Sequence, residues 1–153
     1  MLGTNVGAYI TSRFALARSL FGVGVGNPGA LDGSVITRTD KRPLHLSGKL
    51  IVGWKLTMPS GASCAITTVP RVSSDNNTYT DHGDANVTTV TALNSGAAQE
   101  GTIEVDVNLI GAPAYLKART TPVLSASGSS VGEVFAVWAF GGGETIPPTE
   151  SDQ

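Results

Sequence analysis

Hydrophobic and polar residues alternate strictly between Ile103 and Leu109: Ile103, Val105, Val107 and Leu109 on one parity, Glu104, Asp106 and Asn108 on the other. An extended chain sends successive side chains to opposite faces, so this segment predicts a strand buried on one side and solvated on the other. The same grammar recurs along most of the chain. Leu46, Leu50, Val52, Trp54 and Leu56 all fall on even positions of a β-rich run from Leu44 to Met58, with Gly48 and Gly53 predicting a bulge or bend inside it. Short strands are expected at Val35–Thr39, Ala62–Val72 and Val87–Leu93, with a brief Thr-Tyr-Thr strand inside the polar loop 73–86. Pro70 is expected to push its strand toward a sheet edge. Ala114–Val123 follows the Gly111-Ala112-Pro113 turn. Glu133–Phe140 is apolar on both parities, as expected of a strand covered on both faces or buried at a subunit contact.

Residues 1–34 follow a different pattern. Ile10, Phe14, Ala17 and Phe21 lie near helical spacing, which predicts a short amphipathic helix over residues 7–20. The FGVGVGNPG run that follows is too rich in glycine for a helix or a central strand. The alternative is an extended arm ordered against a partner, preferred because nothing in the segment covers its apolar side chains. The expected organisation is an N-terminal arm over 1–34, a β-sandwich over 35–142 and a polar C-terminal tail over 143–153. Seven or eight strands at intervals of about a dozen residues predict an all-β, jelly-roll-like antiparallel sandwich. No alternation of helix and strand follows residue 30, which argues against the doubly wound folds that host most cofactor chemistry.

Composition narrows the function classes. At 153 residues the chain is long enough to bury one core without staples. Its single cysteine, Cys64, lies in an apolar and threonine-rich run and reads as a buried structural thiol. No apolar run reaches the length of a membrane span and no secretory signal is recognisable, so a soluble protein made in a reducing compartment is expected, with no membrane contact. Charge is uneven: residues 1–60 hold seven basic and two acidic side chains, residues 61–153 three basic and ten acidic. The basic residues Arg13, Arg18, Arg38, Lys41, Arg42, Lys49 and Lys55 are scattered among few aromatics, which argues against direct nucleic-acid binding.

The candidate chemical motifs lack the context their chemistry requires. Gly24, Gly26 and Gly29 satisfy G-x-G-x-x-G, but Pro28 lies inside the motif and the sequence predicts neither a preceding strand nor a following helix. Asp75, Asp81, His82 and Asp84 gather possible cation ligands in one loop, with the spacing of neither an EF-hand nor a zinc site. His45 and His82 belong to no nucleophile–base arrangement. Glu104 and Asp106 share a strand face, and their apolar neighbours make a solvated face the economical reading of that pair. The expectation is therefore a protein that is not an enzyme and has no catalytic residues, metal or cofactor.

Five segments taken together point further: LIVGWKLTM, SSDNNTYTDHG, GTIEVDVNL, GAPAYLKARTTPV and VFAVWAFGG. This order resembles the cement, or capsid decoration, proteins of tailed bacteriophages, of the small jelly-roll type. The correspondence falls on Ser74 and Asp75, Ile103 to Leu109, Gly111, Ala112, Tyr115, Leu116 and Arg119, and Val134 to Gly142. It covers about two thirds of the chain. The resemblance implies a homotrimer on the outer surface of the virion capsid, made in the bacterial host cytoplasm, with the major capsid protein and itself as partners. The residues expected to lie on the shell or a neighbouring protomer are Tyr9, Ile10, Arg13, Phe14, Arg18 and Phe21. A head-fibre, tail or spike component is the alternative. A carbohydrate-binding module stacking sugars on Trp54, Trp138 or Tyr79 is a third reading, and it requires exposed, coplanar rings.

Overall fold

The computed structural model describes residues 11–38 and 45–143, and these contain ten strands and no helix. In chain order they are β1 (Thr11–Gly22), β2 (Leu31–Asp32), β3 (Ile36–Thr37), β4 (His45–Thr57), β5 (Ser63–Ser73), β6 (Thr80–Asp81), β7 (Asn86–Thr91), β8 (Ala98–Asn108), β9 (Tyr115–Leu124) and β10 (Val131–Gly143). They form two antiparallel sheets. Sheet A has the order β1-β10-β4-β8. In sheet B, β9 and β5 lie at the centre, the short β2 and β3 flank β9, and β6 and β7 flank β5. Counting each short pair as one interrupted strand leaves four positions per sheet, with the chain crossing repeatedly between sheets. This is a jelly-roll arrangement, the fold class expected from strand spacing.

The core lies where the period-two pattern puts it. Leu50, Val52 and Leu56 of β4, Ile103 and Val107 of β8, and Val134, Ala136, Trp138 and Phe140 of β10 meet Cys64, Ile66, Leu116 and Leu124 from sheet B. Trp138 stacks on Phe140 with ring centroids 5.6 Å apart. The buried Thr68 and Thr120 hydroxyls face each other across β5 and β9 at 3.5 Å. Two polar pins fix the periphery. Buried Arg38 donates to the Leu109 carbonyl at 2.8 Å, to Pro113 at 3.1 Å and to Ala112, holding the β8–β9 turn. Asn27 both donates to the Leu124 carbonyl and accepts from its N–H.

Three local expectations are corrected. Residues 11–22 are neither helix nor arm: β1 pairs with β10 from Thr11↔Phe140 to Gly22↔Val131 and sends Ala15, Leu16 and Phe21 into the core. The helix-like spacing of Phe14, Ala17 and Phe21 mixes exposed and buried positions, and register shifts between Phe14 and Leu16 and between Leu16 and Ser19 send the adjacent Ala15 and Leu16 both into the core, which hides the period of two. Phe14 and Phe21, an odd number of residues apart, lie on opposite faces, and the two shifts cancel in parity by Phe21. The sandwich therefore begins by Thr11 rather than at residue 35. Gly48 and Gly53 do not mark a bulge, because β4 pairs with β10 in unbroken register; a Cβ on Gly53 would collide with the Phe135 ring that lies across it. Pro70 is not at a sheet edge. It sits where β5 passes from β7, whose pairing ends at Thr68, to β6, whose pairing begins at Arg71, a gap that needs no N–H.

The strand ends define two poles. At one lie Thr11, His45 and Gly143 with the 74–79 and 109–114 connections, and at the other lie the four turns 23–30, 58–62, 92–97 and 125–130. The tail expectation for 143–153 falls outside the described residues apart from Gly143, which ends β10.

Candidate functional site

A strand with apolar residues on both parities has two faces to cover, and the sandwich interior covers one. The even-numbered residues of β10 fill the core, while Val131, Glu133, Phe135, Val137 and Ala139 look outward from sheet A. Cross-strand register aligns this outer row. Phe14 of β1 lies opposite Val137, and Val137 lies opposite Ile51 of β4. Phe135, one step along, lies over Gly53. Phe14 is 78% exposed and Phe135 45% exposed, with Val137 and Ile51 half-buried between the rings. Leu20 and Val131 continue the apolar surface beyond Glu133. A contiguous outward-facing patch of this kind is the signature of a contact surface, whereas apolar residues scattered singly are ordinary.

Charged groups frame the patch. Arg18 forms an ion pair with Glu133. Lys49 reaches Glu104 at 2.7 Å and Asp106 at 3.3 Å, and those carboxylates hold its ammonium pKa above the usual value. Glu104 and Asp106 are thus the solvated strand face that their alternation predicts. Two shallow grooves flank the apolar row, one lined by Lys49, Asp106, Asn108 and Ile110, the other by Lys55, Glu100, Thr102 and Phe135.

The six residues named from sequence divide. Tyr9 and Ile10 lie outside the described residues. Arg13, Phe14 and Arg18 are exposed along β1. Phe21 is 1% exposed, its ring packed where a Cβ on Gly132 would otherwise sit, so it is a core residue and is corrected as a partner contact. The outer residues Ile51, Phe135 and Val137 were not singled out. The signal for them was the apolar residues on both parities of β10, which marked the strand without saying which parity faces out.

The other candidate sites come apart in three dimensions. Asp75 spends its carboxylate on its own loop, accepting from the Ser73 hydroxyl at 2.7 Å and from the Asn77 and Thr78 N–H groups at 2.9 Å each. These bonds, the Ser73 hydroxyl first, hold its pKa down at about 2. Asp81 is bound by Arg71 at 2.9 Å, and the His82 ring contacts the Asn108 carbonyl at 2.7 Å. Among the described residues no group of three or more His, Cys, Asp or Glu converges as a metal site. Gly22 to Gly26 close a tight turn between β1 and β2, so a strand does precede the G-x-G-x-x-G segment and another strand follows it. Cys64 is buried, and burial pushes its thiol up to about 11, leaving it protonated and inert. The aromatic residues considered for sugar stacking form no platform: Trp138 is fully buried, Trp54 packs over Gly101, and Tyr79 sits under the Lys117 ammonium at 4.1 Å.

A cluster on the outer face of sheet B is a self-contained ion network. Asp32 accepts from Arg119 at 2.7 Å and from Lys117 at 3.1 Å, and the Arg119 hydrogen bond is the largest influence lowering its pKa to about 2. Arg71 adds a hydrogen bond to the Tyr79 carbonyl.

No family profile matches the chain, and no curated protein does. Several solved structures align with the chain at low identity. The PBSX exported protein XepA aligns at a TM-score of 0.48 and 16% identity, over 94% of this chain and 41% of that one. A structure of the infectious bursal disease virus Gx strain aligns at 0.46 and 12%, over 89% of this chain and 33% of that one. TmCBM61 in complex with β-1,4-galactotriose aligns at 0.38 and 11%, over 87% and 88%. The chain thus spans less than half the length of the first two proteins.

Proposed function

We propose that this chain is a structural protein of a virus particle: a head cement, or decoration, protein. In this reading it binds the outside of a tailed-phage capsid as a homotrimer and ties neighbouring major capsid subunits together. It carries out no chemistry, needs no cofactor and contacts neither nucleic acid nor membrane. The observation that carries the reading is the apolar outer face of sheet A, centred on Phe14, Val137, Ile51 and Phe135, on a sandwich whose interior is already filled by its own side chains. Such a molecule acts through what it touches. The resemblance in sequence supports the same reading: apart from Ser74 and Asp75, in the loop after β5, its residues fall on consecutive pieces of the scaffold, β8, the 109–114 turn, β9 and β10.

The physical logic of a cement protein fits this build. A shell under internal pressure is stabilised by any ligand that binds the assembled state, and many identical copies make modest contacts collectively strong. Of the residues named from sequence, Tyr9, Ile10, Arg13, Phe14 and Arg18 remain as contacts to the shell or to a neighbouring protomer.

The test is the mass of the purified full chain in solution together with its copy number per particle. A trimer in many copies on the head surface is the expected result. A trimer in a few copies indicates a head-fibre, tail or spike component, and absence from particles ends the reading. Deleting residues 1–10 leaves every described strand in place and should lower occupancy on heads if Tyr9 and Ile10 contribute to attachment. Deleting residues 1–30 would remove β1 and is no test of attachment.

A further inference from the structure

The two flanks of the sandwich are finished differently. On the β1 side the sheets are stitched together: the Ser34 N–H donates to the Ala15 carbonyl at 2.9 Å, the Gly33 N–H donates to the Ala118 carbonyl at 2.8 Å, and the pairing of β1 shifts register twice. On the other side β8 pairs with β4 in unbroken register from Ala98 to Asn108, contains no proline, and has no second strand beside it among the described residues. In an antiparallel pair, residues that exchange hydrogen bonds alternate with residues that do not. The Leu109 N–H donates to the Leu46 carbonyl at 2.9 Å, so the odd-numbered residues of β8 bond to β4 and the even-numbered ones turn their N–H and C=O groups out along the edge. His82 agrees with that parity, since its ring reaches the Asn108 carbonyl at 2.7 Å from outside the ladder. Between Glu100 and Asp106, about 20 Å of strand, the outward backbone groups of Glu100, Thr102, Glu104 and Asp106 have no partner among the described residues. A straight, unblunted edge of this length is a template for another strand.

The side chains along the edge specify what fits it. Glu100, Glu104 and Asp106 are exposed on the solvent face of β8, and Lys49, on the strand behind, is shared between two of these three carboxylates. On the inner face Val105 is half-buried, and the Trp54 indole lies across Gly101, so that its ring reaches the edge strand. Two copies of β8 paired with each other would set carboxylates against carboxylates. We propose that the β8 edge is a strand-addition site for an extended segment of a partner protein, basic at alternate positions and apolar at those between. The segment's backbone continues the ladder of sheet A. Its Lys or Arg side chains lie opposite Glu100, Glu104 and Asp106, and its apolar side chains cover Val105 and the Trp54 ring. The site is separate from the apolar outer row of sheet A and does not depend on the capsid reading.

The test titrates the full chain into a capped, fluorescein-labelled decapeptide of alternating lysine and valine, read by fluorescence anisotropy. Saturable binding is expected. With unlabelled peptide the tryptophan emission should shift to the blue, a change that reports Trp54 because Trp138 is already fully buried. Glutamate in place of lysine should weaken the peptide by about tenfold or more. Methylating the alternate amide nitrogens that face β8 should also cost about tenfold or more, since it removes ladder hydrogen bonds and leaves the charge unchanged. Thr102→Pro deletes one edge N–H without removing a bond to β4 and should weaken binding by about tenfold or more. Glu100→Lys changes an exposed side chain that has no ion pair among the described residues, and should weaken binding by about threefold to tenfold. Circular dichroism checks that both variants are folded; if Thr102→Pro is not, the methylated peptide decides the matter with the protein unaltered. Equal affinity for the methylated and unmethylated peptides would mean charge attraction without strand addition and overturns the proposal, as does the absence of saturable binding or of the emission shift. A wild-type dimer that Thr102→Pro dissociates would put a second copy on the edge and overturns the choice of a basic partner. None of these outcomes bears on the cement reading, which copy number on particles decides.

Discussion

Asp32 illustrates how little single surface residues announce themselves in sequence. It stands alone among apolar and glycine residues, yet it bridges Arg119 and Lys117 across β2 and β9. Its folded pKa of about 2 lies below the ordinary 3.8, so the folded chain holds the carboxylate more tightly than the unfolded chain does. The stabilisation is therefore complete above about pH 4 and is lost as the pH falls toward 2. With the side chain about one third exposed, solvent screening limits it to no more than about 1 kcal/mol. Asp32→Asn should lower the urea midpoint slightly at pH 6 and leave it unchanged at pH 2, and an equal loss at both values would show that packing, not charge, is the cause. Glycines were similarly opaque. Gly53 reads as a break in a strand, and it is instead the floor on which Phe135 lies. Gly33 has no sequence signal at all, yet a Cβ there would land on the Ala15 carbonyl oxygen, where the N-terminal strand meets sheet B. Close approach between residues distant in sequence leaves no local trace.

Strand β1 shows why one element was misread while its neighbours were not. In β8 and β4 the register is unbroken, so the period of two survives in the letters and the buried residues Ile103, Val107, Leu50, Val52 and Leu56 fall on the parity expected. In β1 two register shifts send the adjacent Ala15 and Leu16 both into the core, so the period of two does not survive in the letters. Its partner β10 is the last strand among the described residues, so nothing nearby in sequence could reveal the pairing. The two phenylalanines of β1 therefore test the assignment. Phe21→Ala opens a cavity against Gly132 and Leu56 and should cost about 3–5 kcal/mol by denaturant unfolding. Phe14→Ala, in protein dilute enough that association contributes nothing, should shift stability by less than about 0.5 kcal/mol. Equal effects at the two positions would mean that β1 does not lie as described. The candidate site was half legible for the same reason: β10 advertised two apolar faces, but only the packing of sheet A on sheet B decides that Phe135 and Val137 are the ones left outside.

At the scale of the whole molecule, the count and spacing of strands were enough to expect a sandwich, because turn-rich punctuation every dozen residues is local information. The order β1-β10-β4-β8 was not legible, since it joins strands that are distant along the chain. That order has a kinetic cost. No nearest-neighbour hairpin builds sheet A, so refolding must close long loops before it gains contacts. Stopped-flow refolding at 25 °C should take milliseconds to seconds, and a phase completing in microseconds would contradict the topology. The placement of the strand ends has a practical consequence as well. Thr11 and Gly143 sit together at one pole, while the 125–130 turn joining β9 to β10 lies at the far pole with three other turns. A peptide spliced between Ser125 and Ser130 would therefore be displayed about a full strand length away from Thr11 and Gly143, so the two poles of the molecule can be addressed separately.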